Sequence, residues 1–540
     1  MKKILGVPIT KGVSIGYAYK IIPFRRENYL RKIKCGETEK EVLKFDNLVE
    51  KTSNILKESI KEISTIETKN ILSVQIEILK DPSFKKNVIS LINDELICLE
   101  HAISKHFLQV KNIFSKIKNP YLKQRSQDFE GVANKLFEVL DGDKNSFKTI
   151  PDNAILFVED LTPTDVVVLS NKKIKGVCVE KGVKTAHAFI IIKSIGVKTV
   201  INLNNILKKV KNGDLIILDS NIGKIFISPK DDLRKKYEKI IEQEKIHNKK
   251  LKKIRDLPAK TKTGKTIKIM ANIEIPQEIF PVIKNRALGI GLMRTEFLYM
   301  NRSNLPTLKE QFNIYKDLAI KIKPYPLTIR TIDMGGDKDI SILKIGREEN
   351  PNLGLRGIRF SLFNIDIFKT QIKAILKASN YGNIRIMLPM VSDLWEIKKI
   401  KKIIEKCKKE LLQENILFNK NIEIGIMIET PSTIFLLESF LKNCDFLSIG
   451  TNDLIQYLFA VDRNNSNVQH YYNNRHPILF EIIKNIVKKA HKKNISVAIC
   501  GEMAGDLKII KKLIKIDVDE ISVNPSSILE VKEAIINLEE

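Results

Sequence analysis

The chain reads as a multidomain α/β protein: a C-terminal (β/α)8 barrel preceded by an N-terminal α/β domain that a helical bundle interrupts. Three observations predict this. From residue 265 onward, eight short and almost wholly apolar segments alternate with stretches of helical periodicity, the arithmetic of a (β/α)8 barrel. Short β-rich pieces occur twice earlier, at 1–20 and again at 150–228. Between those two, residues 36–145 carry apolar side chains at helical spacing instead.

In chain order, residues 1–20 read as strand–turn–strand, with Gly12 and Gly16 as punctuation. The helical tract follows, in EKEVLKFDNLVEKTSNILKESIKEI and KKNVISLINDELICLEHAISKHF; DPSF and KNPY break it and DGD ends it. The pieces AILFVED, KGVCVE, KTVINL, GDLIILD and GKIFISP then complete the small α/β domain. A long charged helix beginning DDLRKKYEKII and ending near Pro258 connects it to the barrel. The barrel strands are TIKIMANI, ALGIGLM, PLTIRTID, IRIMLPMV, EIGIMIET, DFLSIGTND, SVAICGE and EISVNP, and EVKEAIINLEE reads as a truncated last helix. The predicted boundaries are 1–20 plus 146–228 for the interrupted domain, 21–145 for the helical insert, 229–258 for the linker and 259–540 for the barrel.

Composition narrows the function classes. The apolar and charged fractions, 43% and 29%, are those of an ordinary globular protein. Six scattered cysteines without a CxxC pair argue for a reducing compartment. The N-terminus lacks the apolar core of a signal peptide, and no apolar run approaches the roughly 20 residues that span a bilayer. A cytoplasmic location without membrane insertion is the expectation. The net charge of +28 invites a nucleic-acid reading. The basic residues are mostly lysines dispersed along the chain among Glu and Asp, so no nucleic-acid partner is predicted. Arginines instead gather in one region, as Arg286, Arg294, Arg302, Arg330, Arg347, Arg356 and Arg359, which suits bidentate recognition of phosphate or carboxylate.

In a (β/α)8 barrel the reactive groups stand at the C-terminal ends of the strands. Arg294 ends the second strand, Arg330 the third and Glu429 the fifth. Asn452 and Asp453 end the sixth, with Arg463 in the next loop; Cys500 and Glu502 end the seventh. Two carboxylates with room for substrate oxygens suit Mg²⁺. Three arginines suit a small substrate bearing phosphate and carboxylate, and a thiol opposite them could deliver a proton. Singly, each has an ordinary structural explanation, a packed cysteine or a surface ion pair. Convergence at one mouth favours chemistry. A lone His187, in GVKTAHAFIIIKS, has no triad partner or metal ligand nearby in sequence, and by propensity its surroundings read as a strand.

GLMRTEFLYM, RTIDMGGDK, ENPNLGLRGIRF, IGIMIETP, SIGTNDLIQYLFAVDRNN and CGEMAGD, together with DLTPTD at 160–165, closely resemble the Enzyme I family. These are the phosphoenolpyruvate (PEP)–protein phosphotransferases of the bacterial sugar phosphotransferase system, and the resemblance covers nearly the whole chain. It implies a PEP-binding barrel, a phosphohistidine (swivelling) domain and an insert that binds the carrier protein HPr. His187 would carry the phosphoryl group. Arg294, Arg330, Asn452, Asp453 and Arg463 would bind PEP, Glu429 and Asp453 would hold Mg²⁺, and Cys500 would protonate the enolate as pyruvate forms. A homodimer through the barrel is implied as well.

The chain departs from the family pattern around the histidine. Val183 replaces a glycine, Ala186 a serine, Lys193 an arginine, Lys198 a proline and Asn202 a glycine, and Ala188 follows the histidine. Lost glycines restrict backbone approach to a phosphate and a lost hydroxyl removes a donor, so weaker phosphorylation is predicted. The end of the chain, earlier than the family pattern, predicts an incomplete last barrel helix and a weaker dimer. The rival readings are a degenerate regulatory or binding relative, and a PEP synthase- or dikinase-like enzyme without its ATP domain.

Overall fold

The computed structural model describes residues 2–21, 31–62, 66–115, 120–141, 150–161, 165–166, 169, 172–182, 192, 196–300, 304–335, 348–463, 465 and 467–539. The chain forms two compact units, Met1–Ile246 and His247–Glu540.

In the first unit, β1 (Lys2–Leu5), β2 (Val7–Pro8), β3 (Val13–Ile21), β4 (Ile155–Val158), β5 (Gly176–Val179), β6 (Thr199–Ile201), β7 (Leu215–Asp219) and β8 (Lys224–Ile227) make one sheet. The order is β1-β8-β7-β3-β4-β5-β6-β2. β1 and β2 are separated only by Gly6, yet they pair with opposite edge strands, β8 and β6. The N-terminal segment therefore covers both edges, which would otherwise present unpaired backbone groups. The wrap needs close backbone approach. Gly6 N donates to Gly223 O at 2.9 Å. Gly223 has φ +67°, and a Cβ there would lie 2.2 Å from Gly6 O.

The helical insert leaves β3 and returns at β4, its parallel neighbour. It comprises α1 (Thr38–Glu62), α2 (Ile66–Lys80), α3 (Pro82–Glu95), α4 (Leu99–Ser115) and α5 (Pro120–Asp141). Its own core includes Phe45, Val88, Ile92, Leu99, Ile103, Val132 and Leu136, all fully buried. The breaks read from sequence have local causes. Asp81 caps α3, accepting from Ser83 N at 2.8 Å, with Pro82 in the first turn; Leu96 ends it in the left-handed region. The linker is α6 (Asp231–Ile254), polar on most of its surface. Tyr237 on α6 donates to Asp219 Oδ2 at 3.0 Å, which holds the helix to β7.

The second unit is a closed barrel of eight parallel strands, as predicted. They are β9 (Lys268–Ile273), β10 (Ile290–Met293), β11 (Leu327–Arg330), β12 (Ile384–Leu388), β13 (Glu423–Ile428), β14 (Phe446–Gly450), β15 (Ser496–Cys500) and β16 (Glu520–Val523). β16 pairs with β9 and closes the ring. The strands are buried almost throughout because the barrel interior and the outer helices cover both faces. Helices used below are α7 (Leu308–Ile322), α8 (Ile365–Ala378) and α9 (Thr451–Leu458). The last helix, Ile528–Ile536, packs on β9.

Candidate active site

The C-terminal ends of the barrel strands gather a buried lattice of alternating charges. Arg330, the last residue of β11, donates to Glu296 Oε1 at 2.7 Å and lies 3.0 Å from Asp333 Oδ2. Arg356 reaches the same Asp333 with two groups, at 3.0 and 3.3 Å, and donates to Asp453 Oδ1 at 3.1 Å and Tyr457 OH at 3.0 Å. All five charged side chains are buried. Burial alone would make each guanidinium easier to deprotonate. The facing carboxylates outweigh this and raise both arginines above their ordinary value. Arg330 Nε is buried with no hydrogen-bond partner, so this guanidinium retains an unused donor.

Glu429 follows β13 and is 1% exposed. Met390 N donates to its Oε1 at 2.6 Å. Burial, then the neighbouring Asp453 and Asp333, push its carboxyl up to about 8. Two buried carboxyl groups within electrostatic reach of each other supply oxygen donors that fit a hard divalent ion which also takes substrate oxygens. Among the described residues, no group of three or more His, Cys, Asp or Glu side chains is arranged for a metal. A two-carboxylate site completed by substrate is the arrangement Mg²⁺ commonly uses.

Asn452 and Asp453 sit in the first turn of α9, immediately after β14. Asn452 Oδ1 accepts from Glu502 N at 3.0 Å, across to the loop after β15. Gly501 makes that approach possible: its φ is +98°, and a Cβ would lie 2.4 Å from Thr451 Oγ1. Cys500 ends β15. Ser448 Oγ donates to its Sγ, and the thiol donates to Ile449 O, each at 3.4 Å. Burial pushes the thiol up to about 11, and Glu429, Arg330 and Arg294 all lie within electrostatic reach of it.

Arg294 and Arg463 are placed differently. Both are only partly buried. Arg294 is ion-paired with Glu274, the residue after β9. Arg463 N donates to Gln456 Oε1 at 3.2 Å, and its charge reaches Tyr472, whose OH donates to Asn452 O. The structure thus brings Arg294, Arg330, Glu429, Asn452, Asp453, Arg463 and Cys500 to one mouth. Glu502 is there too but exposed.

The arginine-rich region does not converge as a whole. Arg286 pairs with Asp256 on the surface, and Arg359 donates to backbone carbonyls. Arg302 and Arg347 lie outside the described residues.

Three residues of this lattice, Glu296, Asp333 and Arg356, have no role assigned from the sequence pattern. Glu296 and Asp333 do follow barrel strands β10 and β11, and Arg356 belongs to the arginine-rich region, so a signal was present for each. What was missing was the pairing. Gln371 had no signal beyond its place in a helical pattern. On α8, fully buried, it accepts from Ile332 N at 3.0 Å and donates to Thr295 Oγ1 at 3.1 Å, joining the loops after β10 and β11.

His187, with Val183, Ala186, Ala188 and Lys193, lies outside the described residues. Two flanking departures are visible. Lys198 Nζ donates to Val13 O at 2.6 Å, with its stem against Gly12. Asn202 has φ +58°, a left-handed conformation that asparagine tolerates better than most residues and that a glycine would adopt freely.

Three family profiles match the chain: "PEP-utilising enzyme, N-terminal" over residues 5–125, "PEP-utilising enzyme, mobile domain" over 150–223, and "PEP-utilising enzyme, PEP-binding domain" over 248–540. The phosphoenolpyruvate-protein phosphotransferase of Mycoplasma capricolum is 37% identical over 543 residues, spanning 100% of this chain and 94% of that relative. The protein of the same name from Priestia megaterium is 33% identical, spanning 99% of this chain and 94% of the relative. That from Buchnera aphidicola subsp. Schizaphis graminum is 37% identical, spanning 90% and 87%.

Proposed function

Because the chain belongs to the phosphoenolpyruvate–protein phosphotransferase family of PEP-utilising enzymes, we propose that it moves the phosphoryl group of PEP to His187 and then to the carrier protein HPr, releasing pyruvate. The observation that carries this reading is the barrel mouth itself. Buried arginines, two carboxyl groups within electrostatic reach of each other and a protonated thiol stand together at the strand ends, where barrel chemistry is done.

The residue roles follow from charge and protonation. Arg330, with its unused Nε donor, and the more exposed Arg294 and Arg463 bind the phosphate and carboxylate of PEP, with Asn452 and Asp453 alongside. Phosphoryl transfer needs positioning and charge neutralisation more than covalent help. Glu429 and Asp453 hold Mg²⁺, which when bound offsets charge on the transferring group. A neutral imidazole nitrogen of His187 attacks phosphorus as the bond to the enol oxygen breaks. Cys500, raised to about 11 and therefore protonated at neutral pH, gives its proton to the enolate carbon.

The interrupted α/β domain, 1–20 plus 146–228, carries His187. The insert 21–145 docks HPr, 229–258 is the linker with 231–258 as the hinge element, and 259–540 is the PEP barrel and the surface of a homodimer. The family relation supports work in the cytoplasm. No helix among the described residues is long and apolar enough to cross a membrane.

The test is labelling with ³²P-PEP and Mg²⁺. Acid-labile, base-stable label that vanishes in His187→Ala is the expected result. Label that survives the substitution, or no label in the unaltered chain, overturns the reading.

A further inference from the structure

The two arginines at the C-terminal ends of neighbouring barrel strands are held in opposite ways. Arg330 is 6% exposed, and its partners Glu296 and Asp333 are 5% and 2% exposed. Neither carboxylate has solvent to retreat into, so Arg330 is fixed before any ligand arrives. Arg294 is 37% exposed and its partner Glu274 is 45% exposed. Glu274 lies one residue beyond Ile273 and Arg294 one beyond Met293, and Ile273 and Met293 are register partners on β9 and β10. Arg294 N donates to Ile273 O at 3.0 Å.

The backbone under Glu274 is anchored. Glu278, partly buried, accepts from Glu274 N at 2.6 Å and Ile275 N at 3.3 Å. The Glu274 side chain itself is part-exposed, at 45%, and its contact with Arg294 is its one ion pair among the described residues. A carboxylate in contact with a guanidinium occupies the donors that an incoming anion would need. An exposed pair of this kind is held weakly, so a multiply charged phosphate can displace it.

We propose that Glu274 is a displaceable latch on Arg294: it occupies the guanidinium while the site is empty and is driven off by the phosphate of PEP, lowering affinity for PEP. This rests on the reading of Arg294 as a PEP ligand. The latch keeps a solvent-facing arginine paired when no substrate is present, and the weaker substrate affinity also eases departure of phosphate-bearing ligands.

The test is the Kd for phosphoglycolate, a non-transferring mimic of PEP, measured by calorimetry on the full chain with Mg²⁺. Glu274→Gln should tighten binding about two- to five-fold, the range an exposed ion pair supports. The gain should be absent when Arg294→Ala is combined with it, and Arg294→Ala alone should weaken binding. If Arg294→Ala weakens binding but Glu274→Gln leaves it unchanged or also weakens it, the latch is wrong and the PEP reading of Arg294 stands. If Arg294→Ala changes nothing, both fall together.

Discussion

Asp333 joins the two buried arginines, and its loss would leave Arg330 and Arg356 short of a counter-charge inside the barrel. Breaking a buried pair from one side costs roughly 3–5 kcal/mol. Asp333→Ala should therefore lower unfolding free energy by about that much in urea titrations and cut PEP turnover at least about 100-fold, since a misplaced group has effects of that order. Cys500 allows a pH prediction with a definite sign. Its folded value, about 11, lies above the ordinary thiol value, so the native state holds the proton more tightly. That stability is complete below the ordinary value and is lost as pH rises through about 11. Relative to Cys500→Ala, the unaltered chain should lose up to about 3 kcal/mol between pH 8 and 11 in denaturant titrations. An unchanged difference would mean the thiol is not buried as described. Cys500 and the arginines were readable in the sequence as polar residues where barrel strands end. Glu296 and Asp333 were less so, because a carboxylate there equally describes a solvated loop until its partner is seen.

Individual elements were legible where their local signals agreed. Pro82 and Pro120 mark the starts of α3 and α5, and all eight barrel strands coincide with apolar runs in the sequence. The loop after β15 shows what such reading cannot reach. Gly501 has φ +98° so that Glu502 N can meet Asn452 Oδ1 at the start of α9. Gly501→Ala should cost about 1–3 kcal/mol of backbone strain and weaken PEP binding through Asn452, measurable as a raised Kd alongside a lowered Tm. The buried Gln371 bridge is a second case. Gln371→Leu should orphan Ile332 N and detach the loops after β10 and β11 from α8, costing about 1–3 kcal/mol. The loss should appear mainly as a raised KM for PEP, because Arg330 sits between those loops.

The whole molecule divides into two compact units with separate cores, and the helical insert has a cluster of its own. Phe45, fully buried in that cluster, makes an edge contact with Phe84 at 5.6 Å between ring centres. Phe45→Ala should remove about 3–5 kcal/mol from the insert and, by calorimetry, lower an early unfolding transition while leaving the barrel transition in place. A single transition that moves as one would contradict independent cores. By itself the sequence determined the architecture, because apolar periodicity reports which faces must leave water and a barrel of parallel strands leaves a strong periodic trace. It also determined which residue types stand at the strand ends. Only the tertiary structure decided how those groups are paired: Asp333 between Arg330 and Arg356, Asp453 with Arg356, and Glu274 against Arg294. Those contacts join residues up to about a hundred positions apart, as Arg356 and Asp453 are. Their strength depends on burial and distance, and closure of the barrel sets both.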